Sequence, residues 1–337
     1  MTNRRHGRRR KLQIAMLLLA IIVALAAVYF AGRWFETRNA NKAVRGDHTQ
    51  RYAYDDLVEI DGESYRRKKS ITTILLMGID RTNDLAVQGY RNGGQADFLR
   101  LIAMDSESGE ISQISIDRDT MTPITVLGVL GNKSGVRTAQ ISLSHGFGDG
   151  KEQSCELTAE AVSNLLMGIP IDFYAAVNLD GISILNDFVG GITVTLEDDF
   201  SSLDSAMTAG KTITLVGDQA EYFVRNRYGI GIGTNEARMK RQEMYISLLS
   251  EKLEACISSD KEYIGDLYEA LQPYMITNIS KGRLINEAWA AREYTRQKIL
   301  APDGVHTVAE DGFMQFHADE AAIRQIVMDL FYEKIDL

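Results

Sequence analysis

Residues Ile14–Ala31 are eighteen consecutive positions without a charge or a proline. As a helix they would extend roughly 27 Å at about 1.5 Å per residue, close to the ~30 Å hydrocarbon core of a bilayer. Six cations and no acid occupy the first twelve residues (Arg4, Arg5, Arg8, Arg9, Arg10, Lys11). Tyr29 and Trp34 fall where interfacial aromatics belong. Basic flanks stay in the cytoplasm. The expected layout is therefore a cytoplasmic basic tail (1–12), a single-pass membrane anchor (13–32) and an extracellular remainder. A cleaved secretory signal is the alternative, supported by the small residues at Ala24–Ala27, but the apolar run exceeds the usual h-region. The anchor also splits the charge. The whole chain is −9, yet residues beyond the tail hold 31 Lys and Arg against 46 Asp and Glu, a net −15. Nucleic acid demands a broad basic face, so it is excluded as a partner. An anionic ligand would need a local cluster of cations.

After a polar stalk with an edge hairpin turning at Asp61-Gly62 (33–69), the pattern becomes compact, and 70–337 reads as one extracellular domain. Apolar runs predict strands at Ile71–Met77, Phe98–Met104, Ile111–Ile116, Phe173–Asn178 and Ile192–Leu196. The interval Thr122–Gly150 reads as irregular. Helices are expected from an N-cap at Ser154 to Met167 with closure at Gly168, and over Gly181–Phe188, Gln219–Arg227, Ala237–Ile257, Lys261–Leu271, Gly282–Lys298 and Ala318–Phe331. Interleaved strands and helices imply an α/β fold, a mixed central sheet flanked by helices. The two cysteines, Cys155 and Cys256, read as two separate buried thiols.

Two glycine-rich segments are set aside. GVLGNKSG at Gly128–Gly135 has Asn132 where a phosphate loop needs glycine, and the glycines at 229, 231 and 233 follow a helix and not a strand. Strand ends carry more. ILLMGID ends at Asp80 and is followed by Arg81, Asp97 opens the next apolar strand, and ISIDRDT places Asp117, Arg118 and Asp119 after a third. In open α/β sheets ligands bind at such ends. Taken alone, ISIDRDT is also consistent with a turn whose acids cap backbone amides. Arg225, Arg227, Arg238 and Arg241 fall within seventeen residues and precede Gln242; each pair alone could be a solvated helix face or end. Together, carboxylates suited to Mg²⁺ and guanidinium forks suited to phosphate oxygens make a metal-assisted phosphoryl or pyrophosphate site.

These segments, with LLMGIPIDFYAAVNLDGISILNDFVGGITV (165–194), YFVRNR and ARMKRQ, resemble the LytR-CpsA-Psr family over about residues 71–253. The resemblance implies an αβα sandwich behind one transmembrane helix. It also implies an extracytoplasmic Gram-positive transferase moving an anionic glycopolymer, teichoic acid or capsule, from a polyprenyl pyrophosphate carrier in the membrane to peptidoglycan. Carried over by position, Asp80 and Asp97 would bind Mg²⁺. Arg81, Arg118, Arg225, Arg227, Arg238 and Gln242 would contact pyrophosphate, with Arg118, Arg225, Arg227 and Arg238 also stabilising the leaving phosphate. Asp119 is the candidate base, and the prenyl groove is expected near Val162–Met167 and Phe188. The chain departs from the family pattern at Gln95-Ala96-Asp97-Phe98, at Asp117, at Arg137-Thr138-Ala139-Gln140 and at Asn235-Glu236-Ala237-Arg238. A membrane-anchored polyprenyl-phosphate-binding or regulatory protein, and an extracellular pyrophosphate hydrolase, are the alternative readings.

Overall fold

A computed structural model of the chain describes residues 57–60, 62–81, 93–128, 131–226, 230–231 and 235–335. The anchor and basic tail expected at 1–32 lie outside these residues, as does most of the stalk. Among the described residues no helix is long and apolar enough to cross a membrane.

The first described strands form the hairpin expected around Gly62: β1 (Leu57–Ile60) pairs antiparallel with β2 (Glu63–Arg67). Next come β3 (Ile71–Ile79), β4 (Ala96–Asp105) and β5 (Glu110–Ile116); β3 and β4 read as nearly continuous apolar runs because both faces of the sheet are covered, while β5 intersperses Ser and Gln among its isoleucines. The expected irregular stretch is instead a second hairpin, β6 (Met121–Leu127) with β7 (Lys133–Gln140). At the end of β6 Gly128 N donates to Asn132 O at 2.8 Å, and the Lys133, Ser134 and Gly135 of GVLGNKSG already belong to β7. A single turn, α1 (Leu143–Gly146), precedes α2 (Glu152–Leu165). Helix α2 begins before the expected cap: Lys151 occupies that position, and Ser154 sits inside the first turn, its Oγ accepting from Gly150 N at 2.7 Å. Gly168, at φ +88°, closes the helix, its N–H donating to Ser163 O.

Strand β8 (Phe173–Asn178) leads into α3 (Leu179–Phe188), capped by Asn178 Oδ1, which accepts from Gly181 N at 3.1 Å. Short strands β9 (Thr193–Thr195) and β10 (Thr212–Thr214) pair, followed by α4 (Asp218–Arg225), α5 (Asn235–Ser259) and α6 (Glu262–Leu271). Strand β11 (Met275–Thr277) precedes α7 (Lys281–Ala291), which stops seven residues before the expected Lys298. Beyond it β12 (Thr295–Arg296) pairs parallel with β5. An unforeseen hairpin, β13 (Gly304–Val308) and β14 (Met314–Ala318), then leads to α8 (Glu320–Phe331) and β15 (Tyr332–Ile335). Strand β15 joins the β1–β2 hairpin, with Tyr332 opposite Arg67.

The central sheet runs β11-β8-β3-β4-β5-β12 and is mixed: β3 is parallel to β8 and antiparallel to β4. Alternation along β3 sorts its side chains. Leu75 and Met77 pack with Leu99, Leu101 and Ile114 beneath α2 and α8, where Val162 and Val327 complete the core. Ile74 and Leu76 face the opposite side, toward α5, α6 and α7. A separate cluster centred on Phe200 and Phe223 joins β9, β10, α4 and α5. Arg241 closes it. Buried, it donates to Asp198 Oδ2 and Phe223 O at 3.0 Å each and to Asn226 O, and it stacks over Phe200. The two cysteines are free, Cys155 buried and Cys256 half-buried.

Candidate active site

On the second face of the sheet, the helices do not close down completely. A cavity of about 1760 Å³ remains between β3, β4, β5 and β8 on one side and α5, α6 and α7 on the other. Its body is apolar, with Leu76, Ile102, Val177, Leu253 and Leu284 among its walls. Its mouth lies at the carboxyl ends of β3 and β8, where Asp80, Asp97, Arg118, Asp119, Arg225 and Arg238 line one opening together with Gln242. The prenyl groove expected near Val162–Met167 is not there. Val162 and Leu166 are fully buried in the opposite core, and Phe188 packs edge-on against Tyr263.

Each mouth residue is placed by backbone. Asp80 follows the last residue of β3, and its N–H donates to Gln95 O at 2.9 Å. The β3–β4 register shifts between Gly78 and Ile79, where Gly78 faces Phe98 and Ile79 faces Ala96. Asp97 is therefore the extra residue of a bulge, a device that re-aims one side chain. The turn after β5 is built by Asp117: Oδ1 accepts from Asp119 N at 2.8 Å, its carbonyl accepts from Thr120 Oγ1 at 2.6 Å, and Oδ2 meets His306 Nε2 at 3.0 Å. Asp117 is thus the amide-capping turn residue that one reading of ISIDRDT foresaw. Arg118 and Asp119 are left facing the cavity.

Arg118 is the hub. It forms an ion pair with Asp97, lies 3.5 Å from Asp119 Oδ1 and donates to Gln95 Oε1. Asp119 Oδ1 also accepts from Gln140 Nε2 at 2.9 Å. Gln95 and Gln140, two of the departures from the family pattern, are thereby part of this network. Across the mouth Arg225, half-exposed at the end of α4, pairs with Glu221 at 2.8 Å and approaches Asp80 Oδ1 at 3.7 Å. Gln242 donates to Val224 O at 3.0 Å, tying α5 to the end of α4.

Burial pushes the Asp97 carboxyl above the ordinary aspartate range; Arg118 opposes that shift and the neighbouring Asp80 adds to it. Burial likewise raises Asp119, against the pull of Arg118. Asp97 Oδ1 is buried and held in an ion pair with Arg118. Asp97 and Asp80, one largely buried and one open to the cavity, supply the carboxylate oxygens that a hard divalent cation takes as ligands. Among the described residues no group of three His, Cys, Asp or Glu could hold a metal. The remaining ligands would have to come from a bound phosphate group and water, as is usual for Mg²⁺.

Two expected residues stand apart. Arg81 does not line the cavity; its guanidinium lies against Gly150, at φ +75°, where any Cβ would collide with it. Arg227 lies outside the described residues. One cavity residue escaped the sequence reading. Arg100 on β4 faces the apolar body, is buried, stacks over Phe98 at 5.2 Å and leaves its Nε without a hydrogen bond. Desolvation weakens its hold on a proton. The segment after 253 also contributes more than surface helices, since α6, α7 and the β13–β14 hairpin all wall the cavity.

The chain is thus a mixed-sheet α/β protein with a large apolar cavity whose mouth gathers acids and arginines. Residues 34–330 match the LytR_cpsA_psr family, and the chain belongs to it. A relative from Bacillus subtilis (strain 168), polyisoprenyl-teichoic acid–peptidoglycan teichoic acid transferase TagU, is 26% identical over 330 residues, 97% of this chain and 98% of its own length. The crystal structure of B. subtilis TagU is similar with a TM-score of 0.50 at 25% identity, covering 78% of this chain and 96% of that one. Protein gbs0355 from Streptococcus agalactiae shares the fold with a TM-score of 0.60 at 22% identity, covering 77% and 86%.

Proposed function

We propose that the protein transfers an anionic glycopolymer from a polyprenyl pyrophosphate carrier to a peptidoglycan hydroxyl. The observation that carries this is the cavity itself. At about 1760 Å³ it exceeds the 300–1,000 Å³ or so typical of small-molecule sites, it is apolar in its depth, and it meets water through arginines and carboxylates. The name of the TagU relative supports the same donor and acceptor classes. On this reading 13–32 is the membrane anchor, 1–12 is cytoplasmic and the domain after the stalk is extracellular, facing its lipid donor and the wall.

The lipid tail lies along Leu76, Ile102 and Val177, which brings the pyrophosphate to the mouth. There Arg118, Arg225 and Arg238 neutralise its oxygens and absorb the charge that builds on the departing lipid phosphate, with Arg227 as a further candidate. Asp80 and Asp97 would hold Mg²⁺, and the ion would supply Lewis-acid stabilisation of phosphate charge. Asp119, buried enough to be a stronger base than a surface aspartate, takes the proton from the acceptor hydroxyl. The hydroxyl oxygen forms a bond to the glycopolymer-linked phosphorus, the P–O–P bond to the carrier breaks, and prenyl phosphate leaves with the bonding pair. The domain's acidic surface repels an anionic polymer, so these arginines concentrate attraction on one opening.

The test is transfer by the purified protein from a prenyl-pyrophosphate-linked polymer to a peptidoglycan fragment, with and without EDTA. Asp97→Ala and Arg225→Ala should each abolish transfer. Turnover that persists in Asp97→Ala and in EDTA would end the metal assignment, and release of free polymer in place of conjugate would make the protein a hydrolase.

A further inference from the structure

Arg118 sits at the centre of the cavity mouth, with different elements on its two sides. Arg225 and Arg238 stand on the α4–α5 side. On the opposite side the β13–β14 hairpin forms a lip through Asp311, Phe313, Met314 and Gln315. Between residues 301 and 320 there are five carboxylates (Asp303, Glu310, Asp311, Asp319, Glu320) and no Lys or Arg. The lip is fixed to the site. Thr120 bridges Phe316, Phe316 N donates to Asp119 O at 2.9 Å, Gln140 Nε2 donates to Met314 O at 2.6 Å, and His306 meets Asp117. Its tip nonetheless presents apolar side chains to water: Val308 is 66% exposed and Phe313 65%. A concentration of exposed apolar groups beside a site marks a contact surface.

We infer that this lip is the acceptor subsite, with Phe313 a platform for a neutral sugar ring of the acceptor glycan and Asp311 and Gln315 partners for its hydroxyls. This rests on the transfer reading above. An aromatic face accepts the C–H face of a sugar, and carboxylate and amide oxygens accept from hydroxyl donors. The charge decides between occupants. An all-acidic lip repels both an anionic polymer and an anionic bilayer surface, while it suits an uncharged ring rich in hydroxyl donors. The lip also abuts Asp119, through both Phe316 and Gln140, so a sugar seated there presents its hydroxyl to the group assigned as base.

The experiment measures wild type, Phe313→Ala and Phe313→Trp with a soluble, uncrosslinked peptidoglycan glycan fragment. Saturation-transfer NMR with the fragment alone reads binding, initial rates read KM for acceptor and donor separately, and thermal melting checks folding. Phe313→Ala should raise the acceptor KM about tenfold, the scale of one aromatic contact, with donor KM unchanged, and Phe313→Trp should restore it. An unchanged acceptor KM and NMR signal in Phe313→Ala, or a loss of binding to phosphatidylglycerol vesicles instead, overturns the subsite while leaving the transfer reading intact. Fragment binding that depends on Phe313, in a protein that conjugates nothing, supports the subsite and refutes the transfer reading.

Discussion

Filling the cavity is the sharpest trial of what it is for. Ala175 lies on the floor in β8, opposite Leu76, while Asn178 opposite Ile79 marks the mouth. Three residues at about 3.3 Å each put Ala175 roughly 10 Å inside. In Ala175→Phe the new ring projects into open volume, so it should displace ligand without straining the core. A phenyl ring takes the room of about four to six methylene-sized groups, each worth about 0.8 kcal/mol when buried. The cost to a long lipid tail is therefore about 3–5 kcal/mol, two to three and a half powers of ten in affinity. A donor whose tail is shorter than ~10 Å never reaches the ring and should bind as before. Isothermal titration with long- and short-tailed prenyl pyrophosphates measures both, and thermal melting confirms that the fold is unchanged. If both donors weaken equally, the ring has disturbed the mouth. If neither weakens, the lipid tail does not lie in this cavity and the reasoning fails.

Four other outcomes follow from the same geometry. Because burial raises Asp119, wild-type transfer should fall at acid pH with a midpoint above the ordinary aspartate value of 3.8, and Asp119→Asn should be slow and nearly flat with pH. The folded state holds that proton more tightly than the unfolded chain, so stability should decline as pH rises from 3.8 through the raised value, and melting temperatures of Asp119→Asn should lack that contribution. Arg241→Ala strands Asp198 and two carbonyls and should cost about 3–5 kcal/mol in urea unfolding; a loss under 1 kcal/mol or so would show that the cluster tolerates it. Arg100→Met removes a buried guanidinium with an unbonded Nε and should stabilise the fold by about 1–2 kcal/mol by the same measurement, whereas destabilisation would reveal a partner it needs.

The first strands of the central sheet were legible because ILLMGI and FLRLIAM are nearly continuous apolar runs and ISQISI is a short β-branched run bounded by turn residues. The acids after them were legible as strand-end residues. What escaped was structure whose apolar content is sparse. Strand β6 carries Pro123, and β7 is largely exposed, so their hairpin offered no clean alternation. Nothing in Gly282–Lys298 punctuates the chain at Ala291; the helix stops there because Thr295 and Arg296 pair with the edge of β5, a tertiary event. The roles of neighbouring charges were also hidden. Arg238 and Arg241 are three apart on one helix, yet one faces the cavity and the other is locked beneath Phe200, a difference set by Asp198 and the carbonyls it meets. The β13–β14 lip could not be seen because its most informative residue, Phe313, is an exposed aromatic in a turn, which sequence alone cannot tell from an ordinary surface ring.

The pairing of β15 with the β1–β2 hairpin has a mechanical meaning. It brings the first and last described strands of the domain to one corner, next to the start of β3. The mouth lies at the other end of β3, nine residues away, or about 30 Å. A tether pulling at residue 57 therefore loads a three-stranded clasp closed by residues 332–335, and its force reaches the cavity mouth only through the full length of β3.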